Sequence, residues 1–205
     1  MPVQDIAYLL LVVVAVMALC FFLLRKSEEG EKPPKSGDLP DARKSAAPLR
    51  TARTFAGLHQ YKVIAPAQIA KDGKCADLDF IVVGCFGLLC VKCIGRGGQI
   101  YGGLDEEMWL QVNGERRISF VNPMREAEAD TRLVRDTLIT AGLRNVSVET
   151  MCVFTNRKTV LSLPRNTGHH TLKTFRALLQ KSKYEQEKGV DIARAVEAVR
   201  KWVVQ

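Results

Sequence analysis

Cysteine is sparse in this chain, and several common site motifs are missing. Six cysteines among 205 residues are too dilute for a disulfide scaffold. The CxxC pair of Cys90 and Cys93 has no second pair to complete a zinc site. Residues three apart on a strand point to opposite faces, which prevents these two thiols from easily forming a disulfide or chelating a metal ion. Both are expected to be buried and reduced. No GxGxxG or Walker sequence is present, so Arg96-Gly97-Gly98 is interpreted as a hairpin connection rather than a phosphate-binding loop.

Charge and proline are absent from residues 6–24, which read IAYLLLVVVAVMALCFFLL. As a helix this run would span about 28 Å, close to the hydrocarbon thickness of a bilayer. A signal peptide would require a cation before this run, and none precedes it. An uncleaved transmembrane helix is therefore predicted, after a short tail of residues 1–5. Arg25 and Lys26 follow directly and predict that the rest of the chain is cytoplasmic. The expected location is therefore the cell membrane, with a single pass.

Residues 25–53 are rich in proline, glycine, serine and lysine and predict a flexible linker. Residues 54–205 are then the folded domain. Eight of the 30 cations and six of the 22 acids precede Thr54, so this domain carries a net charge of +6.

The domain is predicted to be α/β. Short runs rich in β-branched residues, separated by turns, predict strands at 61–65, 78–83, 88–94, 99–101, 109–112, 118–121, 146–154 and 159–163. Asn122 as N-cap and Pro123 at the first helical position predict a helix that ends near Gly142. Two further helices are predicted at about 170–188 and 191–204.

Residues 77–103, DLDFIVVGCFGLLCVKCIGRGGQIYGG, resemble the nuclease-related domain family, NERD, of the PD-(D/E)XK restriction-endonuclease-like group. Trp109, Gln111, Asn122-Pro123 and the strand near residues 151–154 agree with it in order, so the resemblance covers about residues 60–180. It implies a restriction-endonuclease-like domain, with a mixed central sheet flanked by helices.

The resemblance also implies a catalytic site, of which this chain retains one position. The family Asp falls on Asp79, but its Glu falls on Lys92 and its Lys on Ile94. In such enzymes two carboxylates hold Mg²⁺, whereas an ammonium group cannot coordinate a cation. The upstream helix usually supplies another Glu, and residues 50–60 contain no acid.

With residues 84–87 as its loop, the hairpin places Asp79 opposite Lys92 and Asp77 opposite Ile94. We therefore expect an Asp79–Lys92 ion pair at the former metal position, with no cofactor. The alternative is an active nuclease that binds Mg²⁺ through Asp79 and relocated acids, either Asp77 or those at 105–107. We expect residues 105–107 to be an exposed turn.

A run of cations without an acid lies between Glu149 and Glu185. It predicts a surface for the phosphates of nucleic acid or for anionic headgroups, and the alternative is a solvated helix face. Aromatic residues that could stack on bases are scarce in this run, and His169-His170 is expected in a surface loop. The cations are Arg157, Lys158, Arg165, Lys173, Arg176, Lys181 and Lys183.

Together these features predict a membrane-anchored NERD-like module that binds nucleic acid or a protein partner at the cytoplasmic face without cutting. Two alternatives remain: an active metal-dependent nuclease, and a structural module that docks its C-terminal helix on a partner protein.

Overall fold

The computed structural model describes residues 44–164 and 168–204, which form strands in three sheets and four α-helices. The helices are α1 (Ala46–Leu58), α2 (Pro123–Thr140), α3 (Leu172–Leu179) and α4 (Ile192–Arg200). The strands are β1 (Lys62–Ile64), β2 (Ala67–Lys71), β3 (Lys74–Leu78), β4 (Phe80–Gly84), β5 (Gly87–Ile94), β6 (Gly98–Tyr101), β7 (Met108–Asn113), β8 (Arg116–Val121), β9 (Val148–Phe154), β10 (Thr159–Ser162) and β11 (His169–Thr171).

The central sheet has five strands in the order β1-β4-β5-β9-β11. β1, β4 and β5 are antiparallel neighbours, whereas β5, β9 and β11 run parallel. Every residue of β4 is buried, which is typical of a strand covered on both faces. Helices cover those faces, so the predicted α/β architecture with a mixed central sheet is confirmed.

Alternate residues of β4 and β5 point to different helices, because side chains along a strand alternate between the two faces. Phe80, Val82 and Val91 pack with α1 and α3 in one core cluster. Ile81 and Cys90 pack with α2 and α4 in another.

A second sheet, in the order β10-β6-β7-β8, packs beside the first. Its buried face contributes Ile100, Trp109 and Phe120, which cluster with Phe154 of the central sheet. The turn between β7 and β8 consists of Gly114 and Glu115, and Gly114 has a φ of +63°.

A third, two-stranded sheet formed by β2 and β3 was not predicted. Asp72 and Gly73 make its turn with φ values of +52° and +76°, and an Asp-Gly pair is a recognised hairpin signal. The sheet also receives the end of the chain, because the Ala70 N–H donates to the Trp202 oxygen and the Val204 N–H to the Gln68 oxygen, at 2.9 and 2.8 Å.

Helix α2 begins as predicted. The Asn122 side chain accepts a hydrogen bond from the Met124 N–H at 3.0 Å, and Pro123 occupies the first helical position. The helix ends at Thr140, and Gly142 follows with a φ of +77°.

The segment before Thr54 is partly helical, contrary to the prediction. Helix α1 starts at Ala46, inside the predicted linker of residues 25–53, and buries Ala52 and Phe55. Pro48 contributed to the linker prediction, although proline is tolerated in the first turn of a helix.

The helix predicted at 170–188 is much shorter. Thr171 and Thr174 form a capping box that starts α3 at Leu172, since each side chain satisfies a free backbone N–H of the other residue. His169 and His170 belong to strand β11 and are half-buried, so the predicted surface loop is wrong at these positions.

None of the helices within residues 44–164 and 168–204 has the length and apolar character needed to cross a membrane. The span predicted for residues 6–24, the tail before it and the start of the linker lie outside the described residues.

Candidate functional site

The hairpin of β4 and β5 has the predicted register as far as Phe80. Phe80 pairs with Val91 and Gly84 with Gly87, so Cys85 and Phe86 form the turn. Gly87 has a φ of +121°, and a Cβ there would overlap the Ser147 carbonyl oxygen. Glycine at this position therefore allows the chain before β9 to pack against the hairpin turn.

The regular register ends at Asp79, where the chain bends between β3 and β4. The Asp79 N–H donates to the Val91 oxygen at 3.0 Å, and the Cys93 N–H donates to Asp79 Oδ2 at 2.7 Å. β5 continues beyond the paired part of β4, so the Cys93 N–H has no strand partner on that side. The carboxylate of Asp79 replaces the missing strand carbonyl.

Lys92 pairs with acids of helix α2 instead of Asp79, so the predicted Asp79–Lys92 ion pair is wrong. Its Nζ lies 3.2 Å from Asp130 Oδ2 and 3.9 Å from Glu126 Oε2. The Lys92 and Asp130 side chains are only 15% and 16% exposed. Neither acid was predicted as a partner of Lys92, although their spacing of four residues places them on one helix face.

The other predicted acids do not join Lys92 in a metal site. Asp77 pairs with Gln68 across β2 and β3 and accepts a hydrogen bond from its side chain at 3.2 Å. Ile94 pairs with Phe154 of β9, so the predicted Asp77–Ile94 pairing is wrong. Residues 105–107 form an exposed turn, as expected.

A divalent cation, which the resemblance to metal-dependent nucleases implies, does not fit this arrangement. The Lys92 ammonium already neutralises Asp130 and Glu126, and Asp79 is engaged by a backbone N–H. Within the part of the chain that the structure describes, no three His, Cys, Asp or Glu side chains are grouped so that they could hold a metal ion.

The pKa of the Asp79 carboxyl is raised above its ordinary value by burial, although the Cys93 N–H, Lys44 and Lys92 act in the opposite direction. A raised pKa in the folded state means that the fold favours the protonated carboxyl. This contribution to stability is complete below the unfolded-state pKa of about 3.9 and is lost as the pH rises through the folded-state pKa.

Two substitutions separate the hydrogen bond of Asp79 from its charge. Asp79→Asn keeps an oxygen acceptor for the Cys93 N–H and removes the buried charge, so the free energy of unfolding at pH 7 is expected to equal or exceed that of the wild type. Asp79→Ala leaves the Cys93 N–H unpaired and is expected to lower the free energy of unfolding by about 1–3 kcal/mol. Urea unfolding between pH 4 and pH 7 measures both, and an equal loss in the two variants would show that the charge itself stabilises the fold.

Cys90 and Cys93 lie on opposite faces of β5, as predicted, in different core clusters. Burial raises the pKa of the Cys90 thiol to about 12 and also raises that of Cys93. Both thiols are free and therefore stay protonated and unreactive at neutral pH.

Three of the predicted phosphate-binding residues line one cavity, here called the basic cleft. Arg157 follows β9, while Lys173 and Arg176 lie on α3. The cleft has a volume of about 560 Å³. Lys158 lies on the exposed turn beside it, and Arg165 lies outside the described residues. The polar residues that share the lining are Thr155, Asn156, Thr159, Thr171 and Gln180.

No acid in the part of the chain that the structure describes neutralises the charge of the basic cleft. No carboxylate of the described residues lies within 4.0 Å of the Arg157, Lys173 or Arg176 side chain, and no acid is present in the lining. Lys183, from the same sequence run, is instead paired with Glu149 at 2.7 Å. The run therefore divides into a cleft with free charge and a neutralised surface pair.

The segment that forms one wall of the basic cleft is tied to the end of β5. The Thr155 N–H donates to the Ile94 oxygen at 3.0 Å, and the Thr159 hydroxyl to the Arg96 oxygen at 2.7 Å. Residues 95–97 thus connect two different sheets. The hairpin connection predicted at Arg96-Gly97-Gly98 is therefore wrong. Gly95 and Arg96, with Lys92 and Lys44, line another cavity of about 580 Å³.

His169 and His170 add no positive charge to this region at neutral pH. Burial lowers the pKa of His169 to about 4 and also lowers that of His170. Both imidazoles are therefore neutral at pH 7.

The model of the nuclease-related domain, NERD, matches residues 43–155. The match begins just before α1 and ends just after β9, so it contains the hairpin with Asp79 and Lys92. Arg157, Lys173 and Arg176 of the basic cleft follow the matched segment. No curated protein matches the chain. Since the matched segment is more than half of the chain, this protein belongs to the nuclease-related domain family.

Proposed function

We propose that this chain is a membrane-anchored NERD-type module that binds the phosphate backbone of nucleic acid without hydrolysing it. The observation that carries the proposal is the convergence of Arg157, Lys173 and Arg176 on one cleft without a neighbouring carboxylate among the described residues. The phosphates of a backbone placed there would gain three charge contacts and would release condensed counterions.

The polar side chains of the cleft wall hold that wall in place. Thr155, Asn156 and Thr159 donate to the carbonyl oxygens of Ile94, Gly95 and Arg96, so the contacts to a phosphate are expected from the three cations. The volume of about 560 Å³ lies within the range of small-ligand sites.

The absence of hydrolysis is proposed from the residues at the family's catalytic positions. Lys92 stands where a metal-binding Glu is expected, and its ammonium pairs with Asp130 and Glu126. Ile94 cannot supply the charge of the expected Lys. A restriction-endonuclease-like architecture is proposed on the same resemblance.

Attachment to the cell membrane is proposed from the uncharged residues 6–24 and the cations that follow them. The domain would then face the cytoplasm. A basic cleft held near the membrane could also receive anionic headgroups, and this is the first rival to test.

The test uses the full chain, purified in a mild non-ionic detergent, with labelled DNA and RNA. Binding that weakens steeply with salt, without cleavage in Mg²⁺ or Mn²⁺, is the expected result. Cleavage that requires metal and is lost in Asp79→Ala would overturn it and favour an active nuclease.

Two further outcomes would also contradict the proposal. Binding to vesicles with anionic lipids, but not to nucleic acid, would assign the cleft to headgroups. Binding to neither would favour a structural module that acts through a protein partner.

The active nuclease has one structural argument, which is the presence of Glu126 and Asp130 near the hairpin. A substrate that displaced the Lys92 ammonium would free these carboxylates. Metal-dependent cleavage that is lost in Asp130→Asn and retained in Asp79→Asn would identify this relocated site.

A further inference from the structure

A second cavity, here called the helix groove, adjoins the basic cleft. It lies between α1 and α3 and has a volume of about 460 Å³. Arg176 and Gln180 line both cavities, so a ligand in the cleft can continue into the groove. Nothing in the proposed function uses this second cavity.

The groove presents an exposed aliphatic side chain and an imidazole ring. Phe55, Leu58 and Leu179 contribute apolar surface to it. Leu58 is 79% exposed, although it stands on a helix whose other apolar residues are largely buried. The His59 imidazole also lines the groove and is held by stacking on Tyr61, with ring centroids 5.3 Å apart.

The charges of the two cavities also differ. The groove contains Glu185, whose Oε1 lies 4.0 Å from His59 Nε2, together with Arg50 and Arg176, whereas the cleft is lined by cations and by no acid of the described residues. The exposed Leu58 side chain and the flat His59 ring suit an uncharged, flat group attached to a phosphate that lies in the cleft.

We infer that the helix groove receives an unstacked base of single-stranded nucleic acid while the adjacent phosphate lies in the basic cleft. This inference rests on the proposed function and specifies its ligand. In a duplex both faces of each base are covered by stacking, so only an unpaired or extruded base can enter a side groove. Leu58 and His59 would contact the face of the base, and the Gln180 amide its edge.

Two ligands that share a backbone test the inference on the full chain. A short oligothymidylate and an abasic oligonucleotide of equal length carry the same phosphates, but the second has no bases. At one fixed salt concentration, the full chain is expected to bind oligothymidylate roughly ten-fold more tightly, which is the usual effect of one well-placed base.

A substitution in the groove supplies the matched comparison. Leu58→Ser is expected to remove the preference for oligothymidylate and to leave binding of the abasic strand unchanged. Ile139→Ser removes a comparable aliphatic side chain, 42% exposed, from α2 on the opposite side of the central sheet. This control variant is expected to retain the preference.

The possible failures are distinguishable. Equal binding of the two oligonucleotides by the wild type would overturn the inference and leave backbone binding intact. A loss of affinity for both ligands in Leu58→Ser would also overturn it, because the effect would not depend on the base. Binding of neither oligonucleotide would overturn the proposed function itself.

Discussion

Joint replacement of Arg157, Lys173 and Arg176 by glutamine is expected to weaken nucleic-acid binding on the order of a hundred-fold near 0.1 M salt. On a single strand each neutralised phosphate contributes about 0.7 to the slope of log affinity against log salt concentration, so loss of three phosphate contacts should make this slope shallower by about two. Glutamine keeps hydrogen-bonding capacity while removing the charge. The loss would therefore report counterion release rather than a change in shape.

The matched control removes the same net charge from the other side of the central sheet. Lys74, Arg132 and Arg200 are exposed on β3, α2 and α4, away from the basic cleft. Changing these three residues to glutamine is expected to alter affinity by only a few-fold. Fluorescence anisotropy over a salt series measures both variants, and equal losses would mean that total charge, not the cleft, determines binding.

Lys92→Glu is expected to have the largest effect on stability, lowering the free energy of unfolding by about 3–5 kcal/mol. The substitution removes the cation that neutralises Asp130 and Glu126 and adds a third carboxylate in a poorly exposed position. Three carboxylates form a donor set for a divalent cation, so Mn²⁺ should raise the melting temperature of this variant and not that of the wild type.

Two comparisons establish the cause of that loss. Lys92→Met removes the positive charge without adding a negative one and should cost less than Lys92→Glu. Lys183→Glu reverses a charge beside Glu149 at the surface, where both side chains are at least 40% exposed, and should cost about 1 kcal/mol or less. Thermal and urea unfolding measure all three variants. Similar losses for Lys92→Glu and Lys183→Glu would show that burial of the Lys92 pair is unimportant.

Local signals in the sequence predicted the elements on which the site is built. Asn122 and Pro123 determine the start of α2, because an N-cap and a first-turn proline act over a few residues. The hairpin register was predicted correctly from Phe80 to Val83, since alternation and a short turn fix the pairing. These features depend little on distant parts of the chain.

The partners of the catalytic-position residues could not be predicted in the same way. The bend at Asp79 arises because β3 pairs with β2, and this pairing was missed with the Asp72-Gly73 turn. Lys92 meets Asp130 only because α2 packs on that face of the sheet. Such contacts depend on tertiary packing, which neither hydrophobic period nor turn chemistry specifies.

In the cationic run between Glu149 and Glu185, local spacing accounts for part of the basic cleft and tertiary packing for the rest. Lys173 and Arg176 share a face of α3 because they are three residues apart, and the short parallel strand β11 brings this helix beside Arg157. The helix groove was not foreseen, because its other wall is α1, which lies far away in the sequence and partly inside the predicted linker.

The hydrogen bonds between residues 155–159 and the end of β5 have a dynamic consequence. Thr155 and Thr159 hold the carbonyl groups of Ile94 and Arg96, so the two segments should open to solvent as one cooperative unit. A phosphate bound by the neighbouring Arg157 would then slow amide hydrogen exchange in both segments, including residues that it does not touch. Occupancy of the basic cleft would in this way rigidify the strand that carries Lys92.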